Sequence, residues 1–137
     1  MHSNYLSKNR NVYLKLESLQ ITGSFKLRGA INKLLSLNQT QKKKGVIAVS
    51  TGNHGKGVAY ASKQLKIQST IFMSSMVPEH RKKAIEDLGA KVEIVGTNSD
   101  EADFYAREYS EKNNIPLIHP FDDPMVIAGQ GTIGLEM

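Results

Sequence analysis

The sequence of 137 residues contains no cysteine and no tryptophan, and aromatic residues make up only 7% of it. Without cysteine the chain has no disulfide, no thiolate metal site and no cysteine nucleophile, which suits a reducing compartment such as the cytoplasm. The net charge is +5, yet no basic segment is interleaved with aromatic residues. We therefore expect no nucleic-acid partner, and we attribute the charge to a small anionic ligand or to ordinary surface residues.

Long apolar runs are also missing. None approaches the ~20 residues that a membrane-spanning helix needs, and the stretch Met1–Leu14 lacks the apolar core of a secretory signal. With 39% hydrophobic and 23% charged residues, the composition is that of a globular protein. We expect a cytoplasmic protein of about one domain, with no membrane partner.

Short apolar segments alternate with helical patterns, which predicts an α/β fold: a parallel sheet with helices on both faces. The lysine run Lys42–Lys44 is expected in a solvated helix end or loop. The predicted strands are Val12–Glu17, Val46–Ser50, Ser69–Ser74, Lys91–Gly96 and Pro116–Pro120. The predicted helices are Ala30–Leu37, Val58–Leu65, Pro78–Leu88, Ser99–Lys112 with Ser99 as its cap, and one that begins at Pro124 with Asp123 as its cap.

A glycine pattern of the dinucleotide-binding type, GxGxxG, occupies Gly129–Gly134. Such a fingerprint has meaning only between a strand and a helix. Here Asp123 and Pro124 indicate a helix that has already begun. We therefore do not expect a dinucleotide site.

The stretch "VSTGNHG" follows a predicted strand and opens a helix, so Ser50–His54 lies where open α/β sheets bind ligands. Free N–H groups at the helix start favour a carboxylate, and Gly52 lets the chain turn. The alternative is an ordinary polar cap, which spacing alone favours. His54 has no partner at metal-ligand spacing, so no metal site is expected, and a lone histidine commonly satisfies a local hydrogen bond.

The stretch "TGSFKLRGA" places Lys26 directly after a Gly-Ser turn and Phe25. The simpler interpretation is a capped helix start with solvated basic residues. The alternative is a catalytic lysine. Arg28 is nearby, and in general a neighbouring cation and partial burial lower the pKa of a lysine, which favours the neutral amine that Schiff-base chemistry requires.

Three stretches, "KLESLQITGSFKLRGA", "VSTGNHGKGVA" and "HPFDDPMVIAGQGTIGLEM", resemble the fold-type II pyridoxal-phosphate enzymes. The nearest group is the serine/threonine dehydratases, which includes serine racemase, threonine dehydratase and the dehydratase of hydroxyectoine utilisation. The resemblance runs from about Leu6 onward. It implies that residues 1–45 belong to the large domain, that 46–118 form a small α/β domain, and that 119–137 begin the return to the large domain.

The resemblance implies a role for each matching residue. Lys26 matches the lysine that forms a Schiff base with pyridoxal 5'-phosphate, Phe25 packs beside the cofactor ring, and Asn53 hydrogen-bonds the ring oxygen. Thr51 stands where serine racemase has its serine acid/base, so we name Lys26 and Thr51 as catalytic. The substrate carboxylate would be held by the loop Ser50, Thr51, Gly52, Asn53 and His54.

The implied reaction is β-elimination of water from a hydroxy amino acid such as L-threonine or L-serine, giving a 2-oxo acid and ammonia. Full-length members are expected to be homo-oligomers. The family's glycine run for the cofactor phosphate is missing, as are its later Ser or Cys and the early Thr-Pro-Leu. These departures imply a truncated chain with impaired activity. The alternatives are a non-catalytic remnant and an amino-acid-binding module without cofactor.

Overall fold

The computed structural model describes residues 11–137. Its centre is a parallel three-stranded sheet in the order β1-β2-β3, flanked by helices, which confirms the predicted α/β class. The strands are Val46–Val49 (β1), Ser69–Met73 (β2) and Lys91–Ile94 (β3). The helices are Lys26–Ser36 (α1), Gln39–Lys44 (α2), Asn53–Gln64 (α3), Glu79–Glu86 (α4), Ser99–Asn113 (α5) and Pro124–Leu135 (α6).

The sheet separates two apolar layers. β1 and β2 are almost wholly buried, as their Val-, Ile- and Phe-rich sequences predict for a parallel sheet covered on both faces. The larger layer packs Ala48 and Ile71 against residues of α1, α3 and α4. The smaller layer packs Ile47 and Phe72 against α5, where Tyr109 meets the Phe72 ring edge-on at 5.5 Å.

The predicted strand Pro116–Pro120 is reduced to a single parallel bridge between Leu117 and Ile47. The Ile47 N–H donates to Pro116 O (2.9 Å), and the Ile118 N–H donates to Ile47 O (2.8 Å). The prolines at both ends have no N–H to donate, so the ladder cannot extend. The segment after Ile118 is therefore an irregular turn beside β1.

The predicted strand Val12–Glu17 is wrong. The structure gives this segment one isolated bridge residue, Tyr13, followed by a 3-10 turn at Glu17–Leu19. Alternating side chains favour a strand only where a neighbouring backbone offers a ladder. Here the side chains of Lys15 and Glu17 are instead drawn into ion pairs with Glu136 and Arg28.

The helix ends follow the sequence closely. Asp123 caps α6 as predicted, its carboxylate accepting from Met125 N (2.8 Å) and Val126 N (3.1 Å). The predicted cap of α5 was wrong by one residue: Asn98 Oδ1, rather than Ser99, accepts the first N–H groups. The run Lys42–Lys44 forms the last turn of α2, where positive charge is favourable.

Helix crossings at glycine bring α1 against both α3 and α6. A Cβ on Gly57 would lie 3.2 Å from Lys26 C and from Leu27 N, and a Cβ on Gly129 would lie 2.7 Å from Arg28 O. Because Gly129 sits inside α6, the GxGxxG pattern is helical and is not a dinucleotide fingerprint, as expected. No helix within residues 11–137 has the length and apolarity to cross a membrane.

Candidate active site

Lys26 opens α1 directly after a tight turn. Gly23 has φ +79°, a left-handed conformation that glycine adopts without strain, and the buried Ser24 hydroxyl accepts from Lys26 N at 3.3 Å. The half-buried side chain of Lys26 places Nζ 2.6 Å from Pro120 O and 5.5 Å from the centre of the Phe25 ring. The lysine is therefore held in a defined position, with the 40% exposed Phe25 beside it.

The loop Ser50–His54 leaves β1 at its carboxyl end and becomes the first turn of α3. Ser50 Oγ accepts from Gly52 N at 3.2 Å, which tightens the turn. Asn53 is exposed and Thr51 is half-buried. As the first N–H groups of α3, those of Asn53 and His54 have no acceptor within the helix and are available to an anion.

A cavity of about 320 Å³ opens at this loop, lined by Thr51, Gly52, Asn53, Lys56 and Arg81. No carboxylate lines it. Within the described chain, neither Lys56 nor Arg81 has an acidic partner for its side chain. Two uncompensated cations at a helix N-terminus make the cavity attractive to an anion.

Sequence reasoning missed Lys56 and Arg81. Lys56 follows the "STGNHG" stretch by one residue, so its place in the first turn of α3 was available as a signal. Arg81 is 25 residues further on, in α4, and reaches the loop because α4 packs on α3 at the Gly55–Ile85 contact. Only tertiary structure could reveal that contribution.

The side chain of His54 does not line the cavity. It is 4% exposed, and its Nε2 lies 2.8 Å from Ile118 O. Burial lowers its pKa to about 4, with a smaller contribution from the positive charge of Lys26, although the bond to Ile118 acts the other way. His54 is thus a neutral core histidine, and only its backbone belongs to the ligand-facing loop.

The crossing of α1 and α3 brings Lys26 against the helix that the loop opens. Gly57, four residues after Asn53, lies against the backbone of Lys26 and Leu27. The positive charge of Lys26 also contributes to the lowered pKa of His54. Lys26 is therefore near the start of α3, while Thr51, Gly52 and Asn53 line the cavity at the loop. Their individual roles, including those of Thr51 and Asn53, stay predictions.

Arg28 has a different role from the expected one, which was that of a cation neighbouring Lys26. Its guanidinium donates to both carboxylate oxygens of Glu17 (2.9 and 3.0 Å), to those of Glu136, and to Thr132 Oγ1 (3.0 Å). The bonds from Arg28 to Glu136, followed by one from Lys15, lower the pKa of Glu136 to about 2. Because its charge is offset by two carboxylates, Arg28 clamps α1 to α6 rather than acting as a free cation beside Lys26.

In the residues that the structure describes, no group of three His, Asp or Glu side chains could hold a metal ion. The remaining chemistry at this edge is that of a positioned primary amine beside an anion-attracting loop.

Comparison with known proteins identifies the family of this chain. The model of the family described as "Pyridoxal-phosphate dependent enzyme" matches residues 1–137. The catabolic L-threonine dehydratase TdcB of Staphylococcus aureus is 49% identical over 138 aligned positions, covering 98% of this chain and 40% of that protein. The chain thus spans 40% of the length of that relative.

Solved structures of the same family have a similar fold. The processed form of threonine deaminase isoform 2 from Solanum lycopersicum superposes with a TM-score of 0.89 and 46% identity, over 90% of this chain and 36% of that one. Serine racemase from Dictyostelium discoideum superposes with a TM-score of 0.90 and 36% identity, over 99% of this chain and 45% of that one. The chain belongs to the family of pyridoxal-phosphate dependent enzymes.

Proposed function

We propose that this chain provides the lysine and the carboxylate-binding loop of a pyridoxal-phosphate dependent dehydratase. The substrate would be a hydroxy amino acid of the threonine or serine type, converted to a 2-oxo acid and ammonia with loss of water. The observation that carries the proposal is the crossing of α1 and α3, where the backbone of Lys26 lies against Gly57 in the helix that the loop Ser50–His54 opens. Threonine is the favoured substrate, because the relatives include an L-threonine dehydratase and a threonine deaminase.

The residues present fit the aldehyde and ring of the cofactor. Lys26 offers a half-buried primary amine, Phe25 an exposed aromatic face 5.5 Å from that amine, and Asn53 an exposed amide. They do not supply a phosphate cradle, since none of the 11 glycines are adjacent to one another. We therefore expect this chain alone to bind the cofactor weakly and to show impaired activity.

When bound, pyridoxal phosphate supplies an electron sink for the α-carbon of the substrate. The chain's own residues do the rest. Lys26 would hold the aldehyde carbon of the cofactor, for which its amine must leave Pro120 O and be neutral. With the substrate amine held there in its place, the free amine of Lys26 would accept the α-proton. The N–H groups of Asn53 and His54, with Lys56 and Arg81 nearby, orient the substrate carboxylate.

Other parts of the proposal rest on the resemblance. We place the protein in the cytoplasm, in amino-acid catabolism, and in a homo-oligomer when the family's full length is present. Serine is a second substrate. The division into 1–45, 46–118 and 119–137 also belongs to the proposal. Thr51, Phe25 and Asn53 keep the catalytic and cofactor-binding roles that their motif positions imply.

The test is covalent trapping. The purified chain is incubated with stoichiometric pyridoxal phosphate, reduced with borohydride, and mapped by peptide mass spectrometry. Because binding is expected to be weak, we expect a partial phosphopyridoxyl label confined to Lys26, which disappears in Lys26→Ala and persists in Lys66→Ala, a change at a lysine outside the site. Labels scattered over several lysines and unchanged in Lys26→Ala would contradict the proposal.

A second candidate is an amino-acid-binding module that needs no cofactor. The cavity at Thr51–Asn53 favours it, because its two uncompensated cations and free N–H groups exist without pyridoxal phosphate. Calorimetric titration with threonine in cofactor-free buffer distinguishes the two. Binding without any Lys26 labelling supports the module, and labelling supports the enzyme.

A further inference from the structure

The position of the Lys26 amine depends on one distant carbonyl. Nζ donates to Pro120 O at 2.6 Å, across 94 positions of sequence, and this is the side-chain hydrogen bond that the described structure gives the lysine. Whatever fixes the Pro120 carbonyl therefore fixes the amine. The segment around it has no regular secondary structure, so backbone ladders do not hold it.

His119 holds the turn in which that carbonyl lies. Its Nδ1 accepts from Asp122 N at 2.8 Å and from Phe121 N at 3.3 Å. Its ring also packs edge-on against Phe121, with centroids 4.6 Å apart. Both hydrogen bonds require Nδ1 to be unprotonated, so the ring proton of the neutral imidazole sits on Nε2.

The turn is anchored on either side by other groups. Before it, Ile118 is bonded to β1 through its N–H and to His54 through its carbonyl. After it, Asp123 caps α6 and pairs with Lys33. Between these anchors Pro120 contributes no N–H, which leaves the imidazole of His119 as the group that closes the turn within the described chain.

We propose that His119 is a positioning residue for Lys26: its Nδ1 fixes the turn 119–122, and the turn presents the Pro120 carbonyl that holds the lysine amine. The meaning of that position for catalysis rests on the function proposed above. The positioning itself belongs to the cofactor-free chain and can be measured there. It gives the "HPFDD" stretch a structural role at the site.

Two amide substitutions distinguish the roles of the two ring nitrogens of His119. In His119→Asn the side-chain oxygen takes the place of Nδ1 and can still accept from Asp122 N. In His119→Gln the amide reaches the place of Nε2 and leaves the N–H groups unpaired. His119→Ala removes both. Hydrogen exchange of the Asp122 amide should be near that of the wild type in the Asn variant and about tenfold faster in the other two.

The second readout is the reactivity of the lysine without cofactor. Competitive acetylation with acetic anhydride across a pH series, read by mass spectrometry, gives the reactivity of Lys26 relative to Lys66. We expect the Asn variant to reproduce the wild-type profile and the Gln and Ala variants to show Lys26 with altered reactivity. Faster exchange at Asp122 with an unchanged Lys26 profile would overturn the proposal.

Two further results keep the test decisive. If the Gln and Ala variants do not fold, the imidazole nitrogen-15 shifts of the wild type report the tautomer directly, and a protonated Nδ1 would overturn the proposal. Failure of cofactor trapping on Lys26, with the acetylation pattern as expected, would refute the proposed function and leave the positioning role standing.

Discussion

His54 Nε2 lies 2.8 Å from the carbonyl oxygen of Ile118, in a site where the histidine is 4% exposed. The bond ties the first turn of α3 to the segment that leads into Pro120. One histidine thus connects the candidate carboxylate loop to the turn that holds Lys26. Because Nδ1 has no partner in the described structure, the ring cannot take up a second proton without a buried, unpaired charge.

The stability of the chain should therefore fall as the pH drops below neutrality. The pKa of His54 is about 4 when folded and 6.5 when exposed, so the unfolded chain binds more protons between those values. Linkage gives a loss of about 2 kcal/mol between pH 7 and pH 4.5 from this residue. Urea unfolding at several pH values measures it.

The matched control is His54→Gln, whose side-chain nitrogen can still donate to Ile118 O but does not titrate. We expect its free energy of unfolding to be less sensitive to pH, by about 2 kcal/mol over the same interval. Equal pH dependence in the two proteins would show that the buried histidine is not responsible.

The crossing of α1 and α3 at Gly57 should not tolerate a methyl group. In Gly57→Ala, Cβ would meet backbone atoms of Lys26 and Leu27 at 3.2 Å, so the helices must separate. We expect a loss of about 1–3 kcal/mol in urea unfolding. Because the displaced backbone carries Lys26, the acetylation profile of that lysine should change too.

Gly131→Ala is the control for that substitution. Gly131 also lies within a helix, α6, but a Cβ there has nothing within 4 Å. Alanine should then stabilise the protein by up to about 1 kcal/mol through helix propensity. A Gly57→Ala protein as stable as this control would mean that the crossing is looser than the distances indicate.

The clamp of Glu136 on Arg28 should be visible in the titration of the carboxylate. Hydrogen bonds from Arg28, then from Lys15, lower the pKa of Glu136 to about 2 from 4.5. The stability that this pair contributes is present above pH 4.5 and is lost as the pH falls toward 2. In Arg28→Leu, nuclear magnetic resonance should find the pKa of Glu136 shifted back toward 4.5, and an unchanged value would refute the clamp.

Local pattern predicted the parts of the fold that depend on neighbouring residues. The buried β-branched run Val46–Val49 gave a strand, and Asp123 with Pro124 gave a helix start. Where the conformation of a segment depends on residues distant in the chain, the local pattern did not predict it. Val12–Glu17 alternates like a strand, but its side chains are drawn to Arg28 and Glu136.

The site divides in the same way. Lys26 and the loop at Asn53 stood in recognisable stretches, so sequence could place them together through a resemblance. The contribution of Arg81, and the contact of the turn 119–122 with Lys26, depend on packing between segments far apart in the chain. No short pattern encodes which carbonyl a lysine meets 94 residues away.

The cationic cavity should recognise a carboxylate and not merely an amino acid. Lys56 and Arg81 have no acidic partner in the part of the chain that the structure describes. The first N–H groups of α3 add partial positive charge at the same cavity. Threonine and threoninamide differ only in that carboxylate. Calorimetric titration should find threonine bound more tightly than the amide, and the difference should shrink with added salt.

Substitution of the two cations tests the same point from the protein side. In Lys56→Gln with Arg81→Gln, the preference for threonine over its amide should fall about tenfold, as expected for loss of charge-assisted bonds. Lys63→Gln, on the same helix but outside the cavity, should keep the wild-type preference. If the doubly substituted protein also keeps it, the carboxylate is held by the loop backbone alone.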